Sequence, residues 1–201
     1  MTEALFSIGA PVAPEPEPMR HTERMMLDLI HARYSAAHPG NGPRYVVAEH
    51  VRNQCGFGGY WAADKTPLRT ADAIVIDLWP SSGNAIHGFE VKVSRSDWLT
   101  ELNDPTKAEA FRPFCHHWWL VVPDPTIVRG DLPDGWGLLA LGSDGKLRVR
   151  TRAPKRTPEP MSIGMTAALL RAAVKTAQRR MTTEPPPGRP DDTAEKETAR
   201  G

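Results

Sequence analysis

The stretch that most constrains this chain is "RTADAIVIDLWPSSGNAIHGFEVKVSRSDW", residues 69–98. Two apolar runs, 71–79 and 85–93, flank "PSSGN", a cluster of turn residues. They read as two strands of a hairpin in the middle of a core. Yet they carry Asp72, Asp77, Glu90 and Lys92. Strand side chains alternate between faces with period two. Glu90 and Lys92 therefore share a face, while Phe89, Val91 and Val93 take the other and can enter a core. Asp72 and Asp77 point to opposite faces unless a bulge intervenes. With the turn centred on Ser81–Ser82, Asp72 comes beside Glu90 and Lys92, and Asp77 falls at the turn end, ~13 Å along the strand.

Two neighbouring carboxylates repel, and one takes a proton unless a cation lies between them. A hard divalent cation such as Mg²⁺ or Mn²⁺ binds oxygen and often uses one or two carboxylates plus water and phosphate oxygens. Asp72 and Glu90 supply the carboxylates, and the Val91 carbonyl between Glu90 and Lys92 could add a ligand. Lys92 could orient a water and stabilise charge on a phosphate. That is the chemistry of metal-assisted phosphodiester hydrolysis. The same residues also admit a plain ion pair of Asp72 or Glu90 with Lys92 on a half-exposed sheet face.

Around the hairpin, "TERMMLDLIHARYSAA" reads as a helix capped by Thr22, with Met25, Met26, Leu29, Ile30 and Arg33 at helical spacing. "HPGNGP" ends it, and "RYVVAEHV" follows as a strand. "SRSDWLTELN" starts a helix with Ser94 and Asp97 placed as a capping box, and "DPTKAEAFRPF" continues it after a break. "HHWWLVVP" is a buried strand, and "GWGLLAL" and "KLRVRTRAP" form a hairpin around "GSDGK". "SIGMTAALLRAAVKTAQRRM" is a last amphipathic helix, basic toward its end. This order predicts a mixed α/β domain with helices on a central sheet. The Pro/Glu-rich 1–19 and the polar 182–201 read as disordered, leaving 20–181 as the domain.

Several segments in order, "RTADAIVID", "EVKVSRSDWLTELNDPTK", "FRPFCHHWWLVVP" and "LPDGWGLLAL", resemble the PD-(D/E)XK nuclease superfamily and, more narrowly, the MmcB-type DNA repair proteins. The likeness covers about residues 69–154, and Ala71 stands where the superfamily's name has proline. It implies a restriction-endonuclease-like fold, a mixed central sheet flanked by helices. It also implies catalytic Asp72, Glu90 and Lys92, with Mg²⁺ or Mn²⁺ bound. Ser94, Asp97 and a following lysine, Lys107, match positions after the E-x-K. An acid from the first helix often joins such sites. Glu23 is the candidate there, with Asp28 less favoured, and Glu49 at the end of the next strand is another. DNA is the implied partner, and a homodimer is left open.

For contact with DNA, the candidates are Arg69 beside Asp72, Ser94, Lys107, and Trp61 in the aromatic loop "GFGGYWAADK". The loop's aromatics could equally pin it to the domain. The basic end of the last helix could follow a phosphate backbone or be a solvated face. "CHHWW" at 115–119 lacks the paired Cys/His spacing of a zinc site, and adjacent strand residues point apart. The net charge of +1 does not by itself announce a nucleic-acid binder. Two distant cysteines argue against a disulfide framework, and no apolar run reaches the ~18 residues of a membrane span, so the expectation is a cytoplasmic protein off the membrane.

Overall fold

The apolar runs pair into one six-stranded sheet, and its edge and faces are where the helices go. The computed structural model describes residues 20–35, 37–38, 42–54 and 67–183. The N-terminal segment 1–19, the aromatic loop 55–66 with Trp61, and 184–201 lie outside the described residues. Helix α1 (Glu23–Arg33) starts where expected, the Thr22 hydroxyl accepting from the Met25 N–H. It buries Met26, Leu27 and Ile30, whereas Met25 is left exposed. The segment read as a helix terminator forms a small ladder, β1 (Ala37–His38) with β2 (Gly42–Pro43).

The large sheet runs in the order β3 (Tyr45–Arg52), β4 (Thr70–Asp77), β5 (Ile86–Val91), β6 (His117–Val122), β7 (Trp136–Leu141), β8 (Leu147–Thr151). Strands β3, β4 and β5 are antiparallel, β5, β6 and β7 are parallel, and β8 returns antiparallel. Parallel neighbours need a long crossover. Between β5 and β6 it is made by α2 (Arg95–Asn103) and α3 (Thr106–Glu109). Ser94 caps α2, its hydroxyl accepting from the Asp97 N–H. The last helix, α4 (Ile163–Thr183), continues two residues past the expected end of the domain. The chain is thus a mixed α/β fold with helices on a central mixed sheet.

Each face of the sheet has its own core. Met26, Leu27 and Ile30 of α1 cover Phe89, Val91, Val121 and Leu139. On the other face Trp98, Phe111, Trp118, Trp136, Met165 and Leu169 pack together. Trp118 and Trp119 split between the faces, as strand alternation requires. Both need a glycine beneath them. A Cβ at Gly88 would lie 2.2 Å from the Trp118 ring, and one at Gly137 2.4 Å from the Trp119 ring.

The β4–β5 register decides the rest. Ala73 lies opposite Phe89, Ile74 opposite Gly88, Val75 opposite His87 and Ile76 opposite Ile86. One further step in this register sets Asp72 across from Glu90, as the turn-centred reading expects. Asp77 is drawn into a separate buried ion pair with Arg44 at 2.7 Å and accepts from the Trp79 N–H.

Replacing Gly88 by Ala should therefore force Trp118 out of its rotamer. Overpacking of this kind costs about 1–3 kcal/mol. Urea unfolding followed by tryptophan fluorescence measures it, and an unchanged midpoint would show that the ring accommodates the methyl group.

Candidate active site

Asp72 is held at the point where the β4–β5 ladder stops. Its Oδ2 accepts the Val91 N–H at 2.7 Å. Val91 thus meets Asp72 through its N–H, not through the carbonyl considered as a ligand. The side chain of Val91 is buried on the α1 face.

Glu90 and Lys92 lie on one face, as their spacing predicts, and both are buried. Lys92 Nζ donates to Glu90 Oε1 at 2.7 Å and pairs with Glu101 Oε2 at 3.0 Å. Lys107 from α3 binds the same Glu90 oxygen and reaches Glu101 Oε2 at 3.2 Å. Two ammoniums thus clasp two carboxyls. The remaining oxygens, Glu90 Oε2 and Glu101 Oε1, are buried without a hydrogen-bond partner. Burial, reinforced by the charge of Asp72, raises the Glu90 carboxyl to about 8, against the pull of Lys92 and Lys107. Burial also acts to raise Glu101, but the charge of Lys92, with Lys107 beside it, outweighs this and holds that carboxyl low.

The atoms that could hold a cation lie on the solvent side of Asp72. One ligand atom each from Glu23, His50 and Asp72 come within 4.8 Å of one another. Octahedral bonds of ~2.1 Å put ligand atoms ~3–4 Å apart, so a small closure of these side chains suffices. Glu23 and His50 are exposed, and His50 Nδ1 stands 3.8 Å from Glu23 Oε1. His50 has φ +51°, a left-handed conformation uncommon outside glycine and concentrated at functional sites. Two carboxylates with an imidazole fit Mn²⁺ or a similar transition ion better than Mg²⁺, which prefers oxygen alone.

Glu90 was expected to bind metal beside Asp72; its Oε1 is held by Lys92 and Lys107, and its Oε2 has no partner among the described residues. One expectation changes. Glu49 was an alternative to Glu23, but it pairs opposite Ala73 and its carboxylate serves a different purpose. It is 1% exposed and takes bonds of 2.7 Å from Arg24, from His31 and from Arg179. Burial alone would raise Glu49; the hydrogen bonds from Arg24 and His31 prevail and hold its carboxyl well below the usual range.

The expected DNA contacts are also largely occupied. Arg69 bridges to Asp104 at 2.9 Å and to Thr106 Oγ1 at 2.8 Å, tying β4 to α3. Ser94 is a helix cap, and Lys107 belongs to the buried cluster. In "CHHWW", the His116 imidazole accepts from the Ile86 N–H at 3.0 Å, and the His117 ring stacks on His87 with centroids 4.8 Å apart. Burial pushes the Cys115 thiol up to about 12, leaving it unreactive.

Glu101 and His50 escaped the sequence reading. Glu101 sits three residues after buried Trp98, so the helix turns both toward the sheet. That spacing was the available signal. His50 carried none beyond alternation, which turns it away from Glu49.

No protein-family model matches the chain, and no curated protein matches it. A solved structure is similar, that of a protein of unknown function from Silicibacter pomeroyi. It is 20% identical, with a TM-score of 0.51, over 81% of this chain and 91% of that chain. At that identity the likeness shows the fold alone.

Glu49 yields a pH test. A carboxyl depressed by folding stabilises above its unfolded value, about 4.3, and loses that contribution as pH falls. Removing one member of a buried pair costs about 3 kcal/mol, the low end of the usual range because Arg24 and Arg179 are 43% and 47% exposed. Urea unfolding of wild type and Glu49→Gln should differ by this amount at pH 7 and by clearly less at pH 3, the gap closing fully only as pH falls on through the lowered folded value. Equal gaps at both pH values would refute the role.

Proposed function

We propose that this protein is a cytoplasmic, metal-dependent DNA nuclease, or a nuclease-like DNA repair protein, that hydrolyses phosphodiester bonds. The observation that carries the reading is the convergence, where the β4–β5 ladder ends, of Asp72, Glu90 and Lys92 with an acid from the first helix, Glu23. The D…E-x-K spacing and its register are those that the resemblance to PD-(D/E)XK nucleases and MmcB-type repair proteins implies. Among the described residues no helix is long and apolar enough to cross a membrane.

In this reading Asp72, Glu23 and His50 hold a divalent cation, Mn²⁺ in preference to Mg²⁺. The cation would supply Lewis acidity and a nucleophilic water at neutral pH. Glu90 aims Lys92 by holding its ammonium, and Lys92 positions the attacking water and balances charge on the phosphate. Glu101 and Lys107 hold Glu90 and Lys92 in place, which is a positioning role. The engagement of Glu90 by two lysines also favours a second reading, a non-catalytic DNA-binding module that keeps the fold.

Incubation with single-stranded, duplex and branched DNA in Mg²⁺ or Mn²⁺ separates the two. Cleavage should fall about 10²–10³-fold in Lys92→Ala, as when one charge-stabilising donor is removed, and be lost in Asp72→Asn, with circular dichroism verifying the fold of each. Inert wild type, or undiminished cleavage by Asp72→Asn, removes the nuclease reading. Mn²⁺ titration calorimetry gives an independent measure. Losing even an outer-shell partner weakens metal binding about 10–100-fold, so His50→Ala should weaken Mn²⁺ at least tenfold and narrow its advantage over Mg²⁺. An unchanged Mn²⁺ affinity would exclude His50 as a ligand.

A further inference from the structure

Beside the Glu23–His50–Asp72 cluster a groove of about 290 Å³ opens between strand β3 and helix α4. Arg52 lines it from the strand, and Arg171, Lys175 and Arg179 line it from the helix. His50 belongs to both the groove and the cation cluster. We propose that this groove seats the phosphodiester backbone of a nucleic-acid strand and leads it to Asp72. The inference deepens the nuclease reading and rests on it for the choice of nucleic acid as the polyanion.

Charge and spacing carry it. Residues 171, 175 and 179 recur every fourth position, so they stand in a row on one flank of α4. At 1.5 Å per residue the row spans ~12 Å, the rise of roughly three to four nucleotides of a B-form strand at ~3.4 Å each. Like charges at this spacing repel and weaken a helix, so the row has a cost without a counter-charge. Arg179 is neutralised by Glu49. Among the described residues no carboxylate pairs with Arg52, Arg171 or Lys175. The chain as a whole is only +1, so this concentration of cations is local.

The arrangement suits a nucleic acid better than a membrane. A helix lying on a membrane carries cations on its polar face around an apolar stripe. The exposed apolar residues of α4, Ile163, Leu170, Val174 and Met181, lie opposite its buried face. The three cations instead flank the sheet on one side, with Arg52 across from them. A concave, cationic trough that ends at candidate metal ligands is the shape needed to place a scissile phosphate.

Fluorescence anisotropy in EDTA, with labelled single-stranded and duplex DNA at several salt concentrations, tests the proposal without cleavage. The triple variant Arg52→Ala, Arg171→Ala, Lys175→Ala leaves Arg179 to hold Glu49. It should bind at least tenfold more weakly near physiological salt, and the slope of log K against log salt should fall by about 2–3. A control triple with the same charge change, Arg150→Ala, Arg152→Ala, Lys155→Ala, should stay within twofold of wild type. Equal loss in both triples, no loss in the first, or no DNA binding by wild type overturns the proposal. So does a loss confined to cosedimentation with phosphatidylserine vesicles. DNA binding through the groove without cleavage in Mn²⁺ sinks only the nuclease reading. Cleavage with unaltered binding by the groove triple sinks only this one.

Discussion

The buried carboxylate of Glu49 is the interaction on which the candidate site depends. An ionised carboxyl taken out of water is costly unless it is paired and fully hydrogen-bonded. Here α1 supplies Arg24 and His31, and α4 supplies Arg179. Glu49 lies on β3, the edge strand, so both helices are drawn to that edge. Its N–H, which a bare edge would leave open, donates to Thr176 of α4 at 2.9 Å. Asp28 adds a second tie, bonded by Arg24 and by Arg180. One result is an edge strand partly covered by α4, which blunts pairing with another chain at Glu49. Another is that the N-terminus of α1 brings Glu23 to Asp72, and the flank of α4 faces Arg52.

Beside this edge, charge divides into two compartments. Glu90, Glu101, Lys92 and Lys107 form a buried group from one strand end and the crossover helices. Glu23 and His50, with Asp72, form an exposed group. Asp72 joins them: its carboxylate takes a backbone N–H from the Glu90 strand and its charge acts on Glu90. Low dielectric makes charges in the first group act strongly on one another, whereas water screens the second. The first can hold a fixed geometry and the second can exchange ligands, a division that suits the proposed function.

Much of this was legible in the chain. The turn residues of "PSSGN" and period-two alternation place Asp72 across from Glu90, put Lys92 on the same face, and send Asp77 to the turn end; its ion pair with Arg44 was not legible. Thr22 and Ser94 announced their helices as caps. The roles of Arg69, Lys107 and Glu49 were not legible, because each is decided by a partner distant in sequence. Arg69 meets Asp104 and Thr106 only once the crossover folds back over β4. Glu49 is a strand-end acid in sequence and becomes a three-way anchor only when two helices 130 residues apart meet.

By itself, the sequence determined what local rules govern: strand parity, turn position, helix caps, and so the pairing of Asp72 with Glu90. These depend on a few neighbouring residues and on backbone periodicity. Only the tertiary structure decided that Lys92 and Lys107 enclose Glu90, that Glu101 completes their cluster, and that His50 and Glu23 stand at Asp72. Those contacts come from docking helices against a sheet, where burial, and not spacing along the chain, selects which charges meet.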